Sequence, residues 1–412
     1  MTAQQPLAAD QLPSASQRPP HVLCLNLSAR AGGHTAQLLR AAAEALPAGA
    51  VFESLAELAR LLAERPADAP AELERLAQAW RQADAILLGA PVYTFGPPAP
   101  WYLLFGALRA APAQLLTPVG LIIQGGGEYA GAEVTAATLL QHLLALGALP
   151  VSGDMPDNSQ GVIGQVTDAA GVPPAMEAQC RRLAARVLEV QRLLSAGGAV
   201  GRQPVRLLLA LAGAAEDSQA QALADEVAAG AGPAASVERI NLAGQAVAPC
   251  RACTQFCSHE MDCIYQDAMQ PLRQASLWAD AVAWIVDAGA PAYYALRAAV
   301  DRMNQMRFET FLALKQPHMA RYLRAAGALV YAGEPAQIEE ARRFFGHCAL
   351  LYGDLPVRPA AVPQEARELG RRLARIAGTV RAGVPAAALP DEYYPSLSRF
   401  GVVDRARSRH SM

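Results

Sequence analysis

One pattern runs twice through this chain of 412 residues. Short, almost unbroken apolar runs alternate with stretches of helical period. The first pass holds HVLCLNL (21–27), a strand near 50–54, AILLGA (85–90), VGLIIQ (119–124) and a short strand near 148–152. Helices are expected from the 28–35 loop to about Leu46, over 70–82, from Trp101, over 132–146 and over 174–194. The second pass holds PVRLLLAL (204–211), SVERINL (236–242), AVAWIVDAG (281–289), GALVYAG (327–333) and ALLYGDLPV (349–357), with helices through ALADEVAAG, over 335–349 and over 363–377. Strands that are apolar along their whole length need cover on both faces, the condition of a parallel sheet wrapped by helices. Each pass therefore predicts a doubly wound α/β domain. The chain is also too long for one ordinary core. The expected division is a disordered lead-in (1–20), a first domain (21–197), a second domain (204–380) and a tail (381–412), with AGGAVGRQP (196–204) as the linker. Residues 296–326 exceed their counterpart in the first pass and are expected to form an insertion. Its methionines and phenylalanines at helical spacing favour core contacts over a partner surface.

Charge and composition narrow the function classes. A formal net charge of −2 gives no electrostatic footprint for nucleic acid or an anionic membrane. No run of eighteen uncharged apolar residues is present, so no membrane span is expected. The first twenty residues lack a basic segment followed by an apolar core, so no signal peptide is read there and a soluble cytoplasmic protein is expected. Seven cysteines occur, and Cys250, Cys253, Cys257 and Cys263 fall within fourteen residues. In a cytoplasmic chain such a cluster points to metal or redox ligation before disulfides. Cys24, Cys180 and Cys348 lie in apolar surroundings and are expected in the core.

In an open parallel sheet, ligands sit beyond the carboxyl ends of the strands. The loop SARAGGHT (28–35) after the first strand has what a phosphate seat needs. Ser28 and Thr35 supply hydroxyls, Arg30 a fixed charge, Gly32 and Gly33 close backbone approach, and the helix from His34 directs N–H groups at an anion. A Gly-Gly pair before a helix can also be simple punctuation. Two further loops lie at the same edge. APVYTFGPP (90–98) could place Pro91, Val92, Tyr93, Thr94, Phe95 and Gly96 beside a planar ring. QGGGEYAGAE (124–133) could bring Gly125, Gly126, Gly127 and Tyr129 to the ring's far edge. Read alone, Tyr93 could be a surface aromatic and the glycines loop punctuation.

These three segments resemble the NAD(P)H-dependent flavin reductase and multimeric flavodoxin family. Its motifs are a Ser-x-Arg-x-x-Gly-x-Thr loop, an Ala-Asp-apolar-Pro-x-Tyr stretch and a Gly-Gly-x-x-x-Gly-x-Glu turn. Here they are Ser28–Thr35, Ala83–Asp84 through Pro91–Tyr93, and Gly126–Glu133. One departure is His34, where the family usually has Asn. The resemblance covers roughly 21–195 and implies a flavodoxin-like fold, FMN binding, dimer-like packing and NAD(P)H as an electron donor.

PCRACTQFCSHEMDC gives Cys250, Cys253, Cys257 and Cys263 in a C-x2-C-x3-C-x5-C pattern. Thiolates so close repel unless a metal neutralises them. An iron–sulfur cubane, a zinc ion with His259 as a substitute ligand, or no metal at all remain open. The segment also resembles the iron–sulfur flavoprotein branch of the same family, with Pro249, Asp267 and Met269 matching and one residue too many between the second and third cysteines. In the second pass the first-strand loop reads AGAAEDSQ (212–219). Arginine and glycine pair are gone, and Glu216 and Asp217 would repel a phosphate. Pro291 and Tyr293 keep the form of the later loop.

The combined expectation is a fused, asymmetric pseudo-dimer carrying one FMN and one iron–sulfur cluster, preferably 4Fe-4S. It would exchange electrons with small-molecule or protein partners and could dimerise again. The alternatives are an NAD(P)H-dependent FMN or quinone reductase with a structural or vestigial cysteine loop, and a zinc-stapled, non-catalytic scaffold. No acid–base pair or nucleophile constellation stands out.

Overall fold

The uniformly apolar runs become the strands of two separate parallel sheets in the computed structural model. It describes residues 19–383 except 47–49, 111–115, 128–130, 154–159, 168–170, 197–203, 215–217, 254–255, 258–261, 315–323, 352–354 and 361–362. The tail beyond 383, nearly all of the lead-in and most of the linker, together with Tyr129, Glu216, Asp217 and His259, lie outside the described residues.

The first sheet contains β1 (Val22–Asn26), β2 (Val51–Ser54), β3 (Ala85–Pro91), β4 (Pro118–Gly125), β5 (Leu149–Pro150) and β6 (Val162–Gln165). Its helices are α1 (His34–Ala43), α2 (Ala56–Glu64), α3 (Ala69–Gln82), α4 (Ala99–Ala110), α5 (Ala132–Ala145) and α6 (Pro174–Ala196). The second sheet contains β7 (Arg206–Ala212), β8 (Ser236–Asn241), β9 (Ala281–Asp287), β10 (Ala325–Ala332) and β11 (Leu355–Pro356). It is wrapped by α7 (Ser218–Ala231), α8 (Met269–Trp278), α9 (Pro291–Leu314), α10 (Pro335–Leu351) and α11 (Ala366–Gly383).

Strand order is β2-β1-β3-β4-β5 in one sheet and β8-β7-β9-β10-β11 in the other, the same order, with every pairing parallel. This is the flavodoxin-like doubly wound order, whose switch point lies between the first and third strands. Alternate residues of each strand feed opposite layers. Cys24 and Leu87 pack under α1 and α6, whereas Leu23, Leu25, Ile86 and Leu88 pack under α3, α4 and α5.

Several expectations change in detail. Helix α2 and strand β6 are additional elements; β6 extends the edge begun by β5, pairing with the far end of β4. ALLYGDLPV is mostly helix: α10 runs to Leu351, and β11 holds only Leu355 and Pro356. The expected insertion begins as helix. Helix α9 continues unbroken to Leu314, and β10 opens at Ala325 within the same range.

The two units meet through equivalent elements: α5 against α10, α6 against α11, and β5 against β11. Leu140 and Leu144 pack on Leu350, and a side chain on Gly346 would press on Leu144 at 3.0 Å. One apolar core continues from beneath α1 and α6 to beneath α7 and α11. Like meeting like is the signature of an isologous, two-fold arrangement, here within one chain. Helices α7 and α11 approach through Gly230 and Gly370, where a Cβ would lie 1.9 Å from the carbonyl oxygens of Arg367 and Val227 respectively.

Candidate functional site

The expected phosphate loop leaves the carboxyl end of β1. Asn26, buried at the strand's last position, shapes it from below. Its Oδ1 accepts the Ser28 N–H at 2.9 Å and its Nδ2 donates to the Arg30 carbonyl at 3.3 Å. Ser28 is buried too, and its hydroxyl accepts the Arg30 N–H at 3.0 Å. These local bonds curl the backbone into a tight turn that ends at Gly33, the residue preceding α1. Gly33 is extended and supplies no side-chain cap, so the first turn of α1 faces the loop without a competing side chain. A Cβ on Gly32 would meet nothing within 4 Å, which leaves its backbone open to an approaching group. Arg30 is exposed beside Gly33, and its guanidinium makes no ion pair among the described residues. Thr35 is buried: its hydroxyl accepts from Gln124 Nε2 at 3.4 Å, and its methyl lies where a side chain on Gly89 would go. His34 opens the helix, half-buried.

The second loop follows β3. Pro91 ends the strand, and the Val92 N–H donates to the Gln124 carbonyl at 2.9 Å. Tyr93 and Gly96 pair across a tight turn whose central residues, Thr94 and Phe95, have φ of +52° and +62°. Two side-chain-bearing residues in the left-handed region store about 1–3 kcal/mol each, a cost found chiefly where a loop is shaped for a ligand. Tyr93 and Phe95 stand 48% and 60% exposed, large aromatic surfaces at the sheet's carboxyl edge. Pro97 and Pro98 are buried.

The third loop follows β4. Gly125 is buried, while Gly126 and Gly127 have nothing within 4 Å of a notional Cβ. Gly131, just before α5, has φ +83°, and a Cβ there would come within 2.3 Å of Phe95 Cδ1. The second loop is therefore seated on the third. Gln124 joins all three, with its side chain on Thr35 and its carbonyl on Val92. Asn26 and Gln124 escaped the site reading; the only signal was a polar residue closing each apolar run.

A cleft of about 710 Å³ lies on the other side of the phosphate loop, between Ala29 and Ala31 and the end of β2. Its arginines are already committed. Arg60 pairs with Glu57 and Glu64, and Arg75 with Glu53 and Glu72. Uncommitted charge lies at Arg30.

The second domain departs at each corresponding place. Its loop after β9 is three residues (288–290), where the first domain has seven (92–98). Pro291 begins α9, so Tyr293 is not a loop residue. It is buried in the first turn of that helix, with its hydroxyl bonded to Glu340. A short loop followed at once by helix leaves no turn to seat a ring.

What the second domain holds is the cysteine loop between β8 and α8. Cys250 is exposed, Cys253 half-buried, and Cys257 and Cys263 buried. Burial first, and then Cys253, Cys263 and Cys250 as neighbours, push the Cys257 thiol up to about 12. Among the described residues no three His, Cys, Asp or Glu side chains are arranged to hold a metal ion. The loop is nevertheless tied. Asp267 accepts the N–H of Ala248 at 2.9 Å and of Met269 at 3.1 Å, joining the start of the loop to the start of α8. Although burial works against its ionisation, these donors and Arg302 hold the Asp267 carboxyl below the usual carboxylate range. Asp262 accepts from Cys263 N–H, Gln270 and Arg273. Cys24, Cys180 and Cys348 are buried in the core.

Two parallel sheets of order 2-1-3-4-5, with three loops converging where the first and third strands of one of them part, define a flavodoxin-like α/β protein. Residues 20–159 match the model of the NADPH-dependent FMN reductase family, which supports a flavin-dependent oxidoreductase reading of the first domain. Similar solved structures include a flavodoxin, WrbA-like protein from Agrobacterium tumefaciens (19% identity, TM-score 0.32, 42% of this chain and 98% of that one). An oxidoreductase from Corynebacterium diphtheriae is 16% identical (TM-score 0.31, 41% and 96% covered). An azoreductase from Bacillus anthracis is 17% identical (TM-score 0.26, 41% and 98% covered). No curated protein matches the chain. Among the described residues no helix is long and apolar enough to cross a membrane.

Proposed function

We propose that this chain is a fused, asymmetric pair of flavodoxin-like domains that holds one FMN in the first domain and a thiolate-bound metal centre in the second. The observation that carries the reading is complementarity. The first domain has the uncommitted Arg30, the Ser28 turn and a seven-residue ring loop; the second has a three-residue loop there and the four cysteines. FMN would supply two-electron chemistry and an iron–sulfur centre one-electron chemistry; the chain positions them and sets their surroundings.

The donor chemistry of the residues suits such groups. At the flavin site, Arg30 and the N–H groups of the Ser28–Gly33 turn and of α1 would hold the phosphate. The open backbone at Gly126 and Gly127 would receive the ring's polar edge, and Tyr93 and Phe95 would exclude water from its faces. Four cysteines in one loop suit a cubane, with one thiolate per iron, or a tetrahedral zinc. Electron donors and acceptors, NAD(P)H among them, would be small molecules or proteins, and the internal two-fold packing replaces a dimer partner.

A second reading is favoured by one observation, that the described residues gather no three ligands. In it the chain is an NAD(P)H-dependent FMN or quinone reductase whose cysteine loop is structural. Steady-state NAD(P)H oxidation and one-electron acceptor reduction, compared in wild type and Cys253→Ser, separate the two. The proposed pairing predicts loss of one-electron acceptor reduction with the flavin retained. Unchanged reduction of both acceptor classes would leave the plain reductase.

A further inference from the structure

The cysteine loop is gripped by a residue far from it in sequence. Arg302, on the inner face of α9, is 1% exposed, and its guanidinium spans the whole loop. Nε and Nη2 donate to Cys263 Sγ at 3.3 and 3.0 Å, and Nη2 also donates to the Tyr265 carbonyl at 3.2 Å. Nη1 donates to the Ala248 carbonyl at 3.2 Å and to Asp267 Oδ2 at 2.6 Å. The Tyr265 ring lies 5.0 Å from the guanidinium carbon. A fully buried cation is costly unless it is paired and hydrogen-bonded. Asp267 pairs the charge, yet two of the donors are spent on one sulfur, a weak acceptor when protonated and a strong one when it carries charge.

From this geometry we propose that Arg302 is a positioning residue for a metal-binding Cys263. It fixes the direction of the sulfur and places a buried positive charge beside the negative charge that a metal held by several thiolates brings into the core. The inference rests on the reading of the four cysteines as ligands. Hydrogen bonds to ligating sulfurs are among the protein's means of setting affinity and potential, and removing such an outer partner costs about 10–100-fold in metal affinity. Arg302 also explains how a loop with an exposed Cys250 can keep Cys263 buried and fixed: the same guanidinium holds both ends of the loop, Ala248 and Asp267.

The test is Zn2+ affinity of the reduced full-length chain, measured anaerobically by chelator competition, for wild type, Arg302→Met, Cys263→Ser and the double variant. Arg302→Met is expected to weaken Zn2+ binding about 10–100-fold in the wild-type background and by much less once Cys263 is serine, because the effect passes through that sulfur. Arg302→Lys, keeping the charge without the forked donors, is expected to recover part of the loss. Arg302→Gln, which keeps an amide donor without the charge or the fork, should weaken binding in the same direction and serves if Arg302→Met does not fold. An equal loss with and without Cys263 would reduce Arg302 to a structural role and overturn the inference, as would unchanged affinity in Arg302→Met. A wild-type chain that takes up neither Zn2+ nor iron would remove the ligand reading itself, and the inference with it.

Discussion

Gly131→Ala tests the joint between the second and third loops. Gly131 has φ +83°, and its added Cβ would lie 2.3 Å from Cδ1 and 3.0 Å from Cγ of Phe95, and 3.1 Å from its Cα. The left-handed backbone alone costs an L-residue about 1–2 kcal/mol. Overpacking against the Phe95 ring adds about 1–3 kcal/mol, so about 2–5 kcal/mol is expected in all. Phe95 is exposed, and its own φ of +62° is strained, so the turn has every reason to yield before the sheet does. The cost should therefore fall on the flavin site and on local stability. It is measured as the urea concentration at which bound flavin is released, since flavin release reports the first domain alone. Phe95→Ala removes the ring and leaves only the backbone contribution, so Gly131→Ala in that background should cost about 1–2 kcal/mol. The coupling between the two sites is then about 1–3 kcal/mol, well above the scatter of independent positions. Strictly additive effects, or a Gly131→Ala chain that holds flavin as firmly as wild type, would refute the seating of one loop on the other.

Other perturbations probe separate parts of the account. Arg30→Ala should weaken FMN binding by about 1.5–3 kcal/mol and flatten its dependence on salt, whereas riboflavin, lacking the phosphate, should bind both chains alike in fluorescence titrations. Gly370→Ala drives a methyl to within 1.9 Å of the Val227 carbonyl, so the thermal transition should drop by an amount at the top of, or above, the about 1–3 kcal/mol range for overpacking. His142 accepts the Trp101 indole N–H at 2.9 Å, and burial, then Arg109, lowers its pKa; burial, then Arg343, does the same at His347. A depressed imidazole pKa means the unfolded state binds the proton first, so stability is complete above about 6.5 and falls as the pH drops towards the folded values. Melting temperatures from pH 7 to 5 should fall less steeply in the His142→Gln, His347→Gln double variant than in wild type.

How much of this was legible in the sequence follows from where the determining contacts lie. Runs such as AILLGA and AVAWIVDAG read correctly because a strand buried on both faces needs apolar side chains at every position. The turn within SARAGGHT is held by local hydrogen bonds, Ser28 to Arg30 and Gly33 to Arg30, and so lies within reach of a local reading. The placement of Thr35 was not legible for the opposite reason: its hydroxyl meets Gln124, on a strand 89 positions away. Tyr293 has the spacing of a loop residue but lies in the first turn of a helix, because the second domain's loop is too short to delay helix α9. Arg302 lies 39 positions from Cys263, and nothing in either neighbourhood announces the contact. The internal two-fold contact of α5 with α10 and α6 with α11 is likewise a property of how two similar units dock; the repeat implies it, but no residue pattern marks it.

The central claim is that one fold, used twice, keeps a single flavin. FMN titration of the flavin-stripped full-length chain, followed by extraction and counting of flavin per chain, measures it most directly. One FMN per chain is expected, bound more weakly in Arg30→Ala at low and high salt alike and untouched by changes around Tyr293. Two flavins per chain would contradict it, since the second would have to sit where a three-residue loop runs straight into helix α9.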